Sequence, residues 1–236
     1  MLDLFGFFTR VPVKGELSRA TGQLYFISFL AFLISLVPIT VYILSEHFLP
    51  HFFTVLFSLI SLYLMTGILH LDGLSDFADG VMKKGSIESK IKALKDVNTG
   101  TAGVVMIIFV LLTEFIAIDI LSYSIFNVIV FFLVSELSAK FSMLGGLLSK
   151  KAPESGLAKQ FMEHFNINIF IIAILLSFLF VPILKIYYLF IFTGFIVSYI
   201  ILRISTKNFG FLNGDGLGAM NELARAVTMV ILCLAL

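Results

Sequence analysis

Three aspartates, Asp72, Asp76 and Asp79, stand close together in a short polar run after a long apolar segment. In a helix of about 3.6 residues per turn, Asp76 and Asp79 lie roughly 40° and −20° around the axis from Asp72. The three carboxylates of this aspartate cluster then share one narrow face and repel one another. Oxygen ligands at this spacing suit a hard divalent cation such as Mg²⁺. A helix cap is the alternative, but it accounts for only one aspartate, so the pattern favours a metal site.

A second polar segment, 95–103 (KDVNTGTAG), places Asp96 before a turn rich in hydroxyl groups and glycine. Such a turn at the start of a helix exposes backbone N–H groups that can bind an anion. Ordinary capping by Asn98 or Thr99 explains the same residues. Taken alone, this segment favours the capping interpretation.

A third segment, 213–222 (NGDGLGAMNE), opens the last apolar run. Asp215 is placed to cap that helix, and Glu222, seven residues later, falls on nearly the same face. A carboxylate inside a membrane is costly and therefore indicates a functional residue. An ion pair with Arg225, three residues further on, is the structural alternative, and we favour the functional interpretation.

Four other charged residues lie within apolar runs. Glu136 and Lys140 are spaced for an ion pair on one helix face. Asp119 is near the end of a run, where it would meet the interface. Glu114 has no local partner, and we expect it to face the same interior as Glu222.

Two further residues lie near these segments. His70 directly precedes the aspartate cluster, and its spacing supports a structural role and a site role equally. Arg10, in the short rigid segment FTRVPV at 8–13, is suited to holding a phosphate with two hydrogen bonds. A positive anchor at the membrane surface is the stronger interpretation of Arg10 by itself.

The composition is that of a polytopic membrane protein. Of the 236 residues, 59% are hydrophobic and 13% are charged, with 27 Phe, no Trp and a mean hydropathy of +1.07. The charged share is about half that of a soluble domain. A single cysteine, Cys233, excludes an internal disulfide framework and a cysteine-based zinc site.

The apolar runs predict an all-α, polytopic transmembrane helical bundle of about seven spans, because a helix needs about 20 residues to cross a bilayer. The predicted spans are 24–45, 52–71, 103–121, 125–148, 167–184, 186–203 and 217–236. Pro182 and Lys185 mark the turn between the fifth and sixth. Residues 1–236 form one domain, with a polar segment at about 72–102.

The cations predict the orientation. If the spans alternate, the loops on one side of the membrane contain only Lys185. The other side contains Arg10, Lys14, Arg19, Lys83, Lys84, Lys90, Lys92, Lys95, Lys150, Lys151, Lys159, Arg203 and Lys207. Because cytoplasmic loops carry the excess of positive charge, the N-terminus is predicted inside and the C-terminus outside. The aspartate cluster, Asp96 and Asp215 then face the cytoplasm.

These features suit a phosphate-containing substrate. A bound Mg²⁺ neutralises phosphoryl oxygens, while the protein mainly positions the reactants. The sequence contains no Walker loop, no dinucleotide-binding glycine fingerprint and no nucleophile elbow. Direct metal-assisted displacement is therefore favoured over nucleotide-driven pumping.

The motifs are similar to those of a known family. The run TGILHLDGLSDFADG, at 66–80, closely resembles the signature of the cobalamin synthases, the adenosylcobinamide-GDP ribazoletransferases. The segments 8–13, 94–104 and 213–222 agree in order and spacing. A looser match covers 138–143 and 156–158, where Lys140 stands at a position at which the family pattern favours Arg.

The resemblance implies a Mg²⁺-dependent enzyme of the cell membrane for the last stage of cobalamin nucleotide-loop assembly. A ribose hydroxyl of α-ribazole, or of its 5′-phosphate, would attack adenosylcobinamide-GDP and release GMP. The implied partners are these substrates and the lipid bilayer, with no nucleic acid, and a homo-oligomer stays open. By residue, the resemblance implies metal ligands Asp72, Asp76 and Asp79, catalytic residues Asp76, Asp79, Asp96 and Asp215, and substrate contacts Arg10, His70, Lys95, Asn213 and Glu222.

Two alternatives remain. A CDP-alcohol phosphotransferase or an aspartate-rich prenyltransferase would use the same metal chemistry, although the Ala-Arg element expected after the second aspartate of the former is absent. A secondary transporter would use Glu114, Glu136 and Glu222 as an ion path, but the inverted repeats typical of such proteins are not evident.

Overall fold

The computed structural model describes residues 2–13, 17–121 and 124–235, without the side chains of Leu17 and Ser18. These residues contain helices and no strands, which confirms the predicted all-α fold. The α-helices are α1 (Leu2–Phe8), α2 (Leu17–Gly22), α3 (Ile27–Ser45), α4 (His51–Thr66), α5 (Leu69–Met82), α6 (Ile87–Leu94), α7 (Thr101–Leu121), α8 (Ile125–Leu148), α9 (Leu157–His164), α10 (Ile167–Ser177), α11 (Val181–Leu184), α12 (Thr193–Phe209) and α13 (Gly214–Ala235). Short 3₁₀ segments are Leu24–Phe26, Phe178–Phe180 and Lys185–Phe192.

Helix α8 is the central element of the bundle. Every residue from Val130 to Leu144 is buried, so this helix has protein rather than lipid on all sides. Helices α3, α12 and α13 pack against it, and α13 also packs against α5, α7 and α12. The first turn of α13 therefore meets α5, which carries the aspartate cluster.

Five described helices are long and apolar enough to cross a membrane, and α4 with α5 makes a sixth if the pair is one broken span. One of the five is the 43-residue segment Ile167–Phe209, which the sequence prediction divides into two spans. A helix crosses the hydrocarbon core in about 20 residues, so this segment is long enough for two crossings. Its helices break at Lys185, which has a φ of 53°, at the predicted turn.

The predicted second span is interrupted. Helix α4 ends at Thr66, Gly67 and Ile68 have φ values of 70° and 32°, and α5 leaves at 88° to α4. Because α5 leaves α4 nearly at a right angle and carries three aspartates, we treat it as a polar helix outside the spans. The inside orientation of the N-terminus stays a prediction. Lys14, one of the cations behind it, and Leu236, the end of the last predicted span, lie outside the described residues.

Candidate active site

Helices α5 and α13 approach so closely that only glycine fits at two points of contact. A Cβ atom on Gly73 would lie 3.0 Å from the Cα of Asp215, and one on Gly218 would lie 2.9 Å from the carbonyl oxygen of His70. Small residues of this kind allow helix backbones to touch. The contact brings Asp215, from the far end of the chain, beside the aspartate cluster.

The carboxylates of this region affect one another. Asp72 is exposed, whereas Asp76 and Asp215 are partly buried. Burial, followed by the charges of Asp215, Asp72 and Asp79, raises the pKa of Asp76 from 3.8 to about 6. Among the described residues, no group of three or more His, Cys, Asp or Glu side chains is placed to hold a metal ion. The donor chemistry, hard oxygens with uncompensated negative charge, nevertheless fits Mg²⁺.

Asp79 has a different environment from the other two aspartates of the cluster. Its Oδ2 accepts a hydrogen bond from the N–H of Gly100 (2.7 Å), and its Oδ1 accepts one from the N–H of Gly103 (2.9 Å). The anion bound at the start of α7 is therefore a carboxylate of α5, rather than a substrate. Both glycines are needed, because a Cβ on Gly103 would lie 2.6 Å from Asp79 Oδ2 and a Cβ on Gly100 would overlap Asp79 Oδ1. Asp79 joins α5 to α7.

Asp96 lies in an exposed turn. Its Oδ1 accepts hydrogen bonds from the backbone N–H and the side-chain amide of Asn98, at 3.0 and 3.1 Å. These bonds lower the pKa of Asp96, and the nearby charges that act in the same direction are Lys92 and Lys83. The structure thus places Asp96 near lysines. Asp96 is not among the carboxylates that raise the pKa of Asp76, so the structure does not bring it to the aspartate cluster.

Asn213 caps the last helix, although the sequence predicts this role for Asp215. The Oδ1 of Asn213 accepts a hydrogen bond from the N–H of Gly216 (3.0 Å), and its Nδ2 donates to Asp215 Oδ2 (2.6 Å). An Asn-Gly-Asp run before an apolar helix is a signal for this cap. The bond from Asn213 holds the Asp215 side chain through Oδ2, and the charge of Asp215 acts on Asp76 of α5.

Two connected hollows adjoin these carboxylates. The first, which we call the apolar cavity, has a volume of about 210 Å³ and contains His70 and Asp215 in its lining. The second, the polar groove, has a volume of about 700 Å³ and contains Lys95 and Asn213 in its lining. Leu157, Ala158 and Gly214 line both. Four of the residues predicted to act on substrates thus line one continuous surface.

Arg10 is placed at the bend between α4 and α5. Its backbone N–H donates to the carbonyl of Met65 (2.9 Å), and its side chain passes over Gly67, where any Cβ would overlap its aliphatic part. The side chain of Arg10 is exposed. The structure therefore holds the N-terminal segment against the turn that directs α5.

Glu222 lies apart from both hollows, in a buried ion network. The centre of this network is Arg225, whose Nε lies 2.5 Å from Glu136 Oε1 and whose Nη1 lies 2.7 Å from Glu222 Oε2. Glu114 Oε1 is 3.6 Å from the same Nη1, and Glu136 Oε2 is 3.3 Å from Lys140 Nζ, as the spacing predicted. The ion pair between Glu222 and Arg225, the structural alternative, is thus present.

Two uncharged residues complete the buried ion network. The hydroxyl of Tyr63 lies 2.8 Å from Glu114 Oε2 and 2.9 Å from Glu222 Oε2. The amide of Asn221 accepts from Lys140 (2.7 Å) and donates to Glu222 Oε1 (2.9 Å). Sequence reasoning missed Tyr63 and Asn221, because a tyrosine or asparagine within an apolar helix gives no local sign of a distant partner.

Comparisons with known proteins cover nearly the whole chain. The family model described as cobalamin-5-phosphate synthase matches residues 1–233. Among curated proteins, the adenosylcobinamide-GDP ribazoletransferase of Pyrococcus abyssi is 40% identical over 100% of this chain and 98% of its own length. Those of Pyrococcus furiosus and Thermococcus kodakarensis are each 37% identical, over 98% and 99% of this chain and 98% of their own lengths.

No solved structure matches the chain. The agreement with the family model and with full-length relatives confirms the resemblance that the aspartate motif predicted. The chain belongs to the cobalamin-5-phosphate synthase family.

Proposed function

We propose that this membrane enzyme joins α-ribazole, or its 5′-phosphate, to adenosylcobinamide-GDP and releases GMP. The observation that best supports this reaction is the contact between α5 and α13 at Gly73, which sets Asp215 beside Asp76. A diphosphate and an attacking hydroxyl must meet at one point, and this contact lies where the apolar cavity reaches the carboxylates. The cytoplasmic face of the cell membrane is the proposed location.

The proposed step exchanges one P–O bond for another. The ribose hydroxyl oxygen bonds to the phosphorus that carries the cobinamide. The bond from that phosphorus to the bridging oxygen breaks, and GMP leaves with the electron pair. The hydroxyl proton passes to a base, for which Asp215 is suited because it lines the cavity and faces the aspartates.

Asp72 and Asp76 would hold the Mg²⁺, since both oxygens of Asp79 already accept backbone hydrogen bonds and Asp215 is assigned as the base. Such an ion supplies charge neutralisation at the diphosphate oxygens. Asp79 acts by fixing α5 against α7. Lys95 and Asn213, on the polar groove, are placed to contact the larger substrate.

The test is an activity assay on the purified full chain in detergent or proteoliposomes. With Mg²⁺, adenosylcobinamide-GDP and α-ribazole, we expect release of GMP together with the joined corrinoid, and loss of release in EDTA. If instead a CDP-alcohol or a prenyl diphosphate is turned over, the proposal is wrong. Gradient-dependent uptake that survives removal of the aspartate cluster would refute it as well, in favour of a transporter.

A further inference from the structure

The apolar cavity opens onto Asp215, and the chemistry described above uses only that end of it. Its deep wall consists of Leu24, Ile27 and Leu144, each 1% exposed. Leu69 and Leu157, at 60% and 52% exposed, lie at its mouth. The cavity therefore runs from the surface beside the aspartates into the bundle, and its walls are almost wholly apolar.

One wall of the apolar cavity is aromatic. Phe7 and Phe161 meet edge to face with ring centroids 5.0 Å apart, and Phe7 and Phe8 do so at 5.5 Å. The ring of Phe8 lies 6.0 Å from that of His70. Rings in these arrangements present faces and edges to a further flat ring. The wall suits an aromatic guest better than a chain-like one.

His70 is one of two polar residues, with Asp215, in the described lining of the cavity. It is 8% exposed, and its Nδ1 is a buried atom without a hydrogen-bond partner among the described residues. A buried polar atom without a partner costs free energy, so a ligand that supplies the partner gains by binding there. A neutral imidazole carries a proton on one of its two ring nitrogens and can donate a hydrogen bond from it.

We propose that the apolar cavity binds the aromatic base of the nucleoside substrate, with His70 Nδ1 donating a hydrogen bond to the unsubstituted ring nitrogen. This inference rests on the proposed function. A volume of about 210 Å³ is below the range of about 300–1,000 Å³ for sites that enclose a whole drug-sized ligand. The cavity thus takes the base alone and leaves the ribose at its mouth, where Asp215 stands.

The guanine of the other substrate fits this lining poorly. A guanine carries several donors and acceptors, whereas His70 and Asp215 are the only polar side chains among the described residues of the lining. Each donor or acceptor left without a partner would cost free energy on burial. The base of α-ribazole is a benzimidazole bearing methyl groups. It has one acceptor nitrogen and otherwise apolar edges, which the lining matches.

The first test uses the unaltered full chain and a series of ribosides. Removing each methyl group from the benzimidazole should raise the KM for the riboside about fourfold, because each buried methyl group contributes hydrophobic transfer free energy. The KM for adenosylcobinamide-GDP should stay constant across the series. Equal KM values for ribosides with and without the methyl groups, or a preference for a purine riboside, would overturn the inference.

The second test fills the cavity. Ala158 is 3% exposed and lines both hollows. In Ala158→Leu, we expect about a tenfold or greater rise in KM for α-ribazole and a smaller rise for adenosylcobinamide-GDP. Gln160→Leu, on the exposed side of the same helix, is the matched control and should leave both KM values unchanged. An unchanged KM for α-ribazole in a folded Ala158→Leu protein, or a rise only for adenosylcobinamide-GDP, would refute the assignment.

The hydrogen bond is tested with His70→Leu and His70→Asn. The leucine variant should raise the KM for α-ribazole about tenfold, and asparagine, which keeps a donor near the position of Nδ1, should restore most of the affinity. No difference between the two would overturn the role of His70. Equilibrium binding of labelled α-ribazole separates this inference from the proposed function. If α-ribazole binds and Ala158→Leu abolishes that binding, the cavity assignment is supported even when no turnover is seen. If the enzyme turns over and Ala158→Leu leaves its kinetics unchanged, the cavity assignment is wrong and the proposed function stands.

Discussion

Replacing Asp79 by asparagine tests whether Asp79 acts as a helix cap or as a metal ligand. In the structure, both oxygens of Asp79 accept backbone N–H groups at the start of α7. An amide side chain keeps one acceptor oxygen but turns an NH₂ donor toward the other N–H, and it removes the favourable charge at the helix N-terminus. The Asn variant therefore loses one hydrogen bond and a charge–dipole interaction, but no ligand of the proposed metal.

The expected cost follows from these contacts. Loss of a helix cap costs about 0.5–2 kcal/mol, and the charge at a helix terminus contributes about 0.3–1 kcal/mol. For a chain of 236 residues, each kcal/mol corresponds to about 2–4 °C in melting temperature. We therefore expect Asp79→Asn to lower the melting temperature by roughly 2–12 °C. Gly103→Ala, which forces a Cβ to within 2.6 Å of Asp79 Oδ2, should lower it as well.

The assay records melting temperature and turnover as functions of Mg²⁺ concentration. With Asp79 as a cap, the Mg²⁺ concentration for half-maximal activity stays within about twofold of the unaltered chain, while the melting temperature falls. Asp119→Asn is the matched control, because Asp119 lies at the other end of α7 in an exposed pair with His51, and such pairs contribute little. An increase of tenfold or more in the required Mg²⁺, without a change in melting temperature, would refute the cap and restore Asp79 as a ligand.

Further predictions concern the site and the buried ion network. Asp76→Asn should reduce Mg²⁺-dependent GMP release on the order of 10²-fold or more while the protein still elutes as a folded species, and full activity would make the aspartate cluster structural. Without metal, the pKa of Asp76 is about 6 in the folded chain against an ordinary 3.8, so the folded state binds this proton more tightly than the unfolded state. The resulting contribution to the free energy of unfolding is present at low pH and is lost as the pH rises through about 6. Melting in EDTA from pH 4 to 8 should show this loss, and Asp76→Asn should remove it. Arg225→Met should cost about 3–5 kcal/mol by leaving buried carboxylates uncompensated, and Glu222→Gln less, as measured by the yield and melting temperature of folded protein.

Local spacing was sufficient to predict the charged features that lie within one helix. The shared face of the aspartate cluster and the pair of Glu136 with Lys140 follow from helical periodicity alone. The family motif also linked Asp215 to the cluster, and the contact at Gly73 gives the physical reason. Hydropathy placed the apolar segments but not the 88° bend after α4, because the bend depends on backbone angles at Gly67 and Ile68.

Contacts between distant segments were beyond local spacing. The capping of α7 by Asp79 joins residues more than 20 positions apart. The sequence at the start of α7 shows that backbone N–H groups are exposed there, but it does not show which carboxylate binds them. The aromatic wall of the apolar cavity combines α1 with α9, although Phe7 and Phe161 look like ordinary apolar residues in a chain with 27 phenylalanines. Substrate contact by Asn213 stays a prediction, whereas its hydrogen bonds to Gly216 and Asp215 make it the cap of α13 and hold Asp215.

The buried ion network explains how so apolar a bundle can hold a polar site in register. Apolar helices in lipid gain little from one rotation over another, whereas charged groups without partners in the interior are strongly penalised. Arg225 and Glu222 on α13 reach Glu136 on α8 and Tyr63 on α4, so a rotation of α13 would separate buried charges. Asp215 precedes Glu222 by seven residues, about two turns of helix, and therefore lies on nearly the same face. The network that fixes Glu222 thus also directs Asp215 toward α5, which is why we assign it a positioning role rather than an ion path.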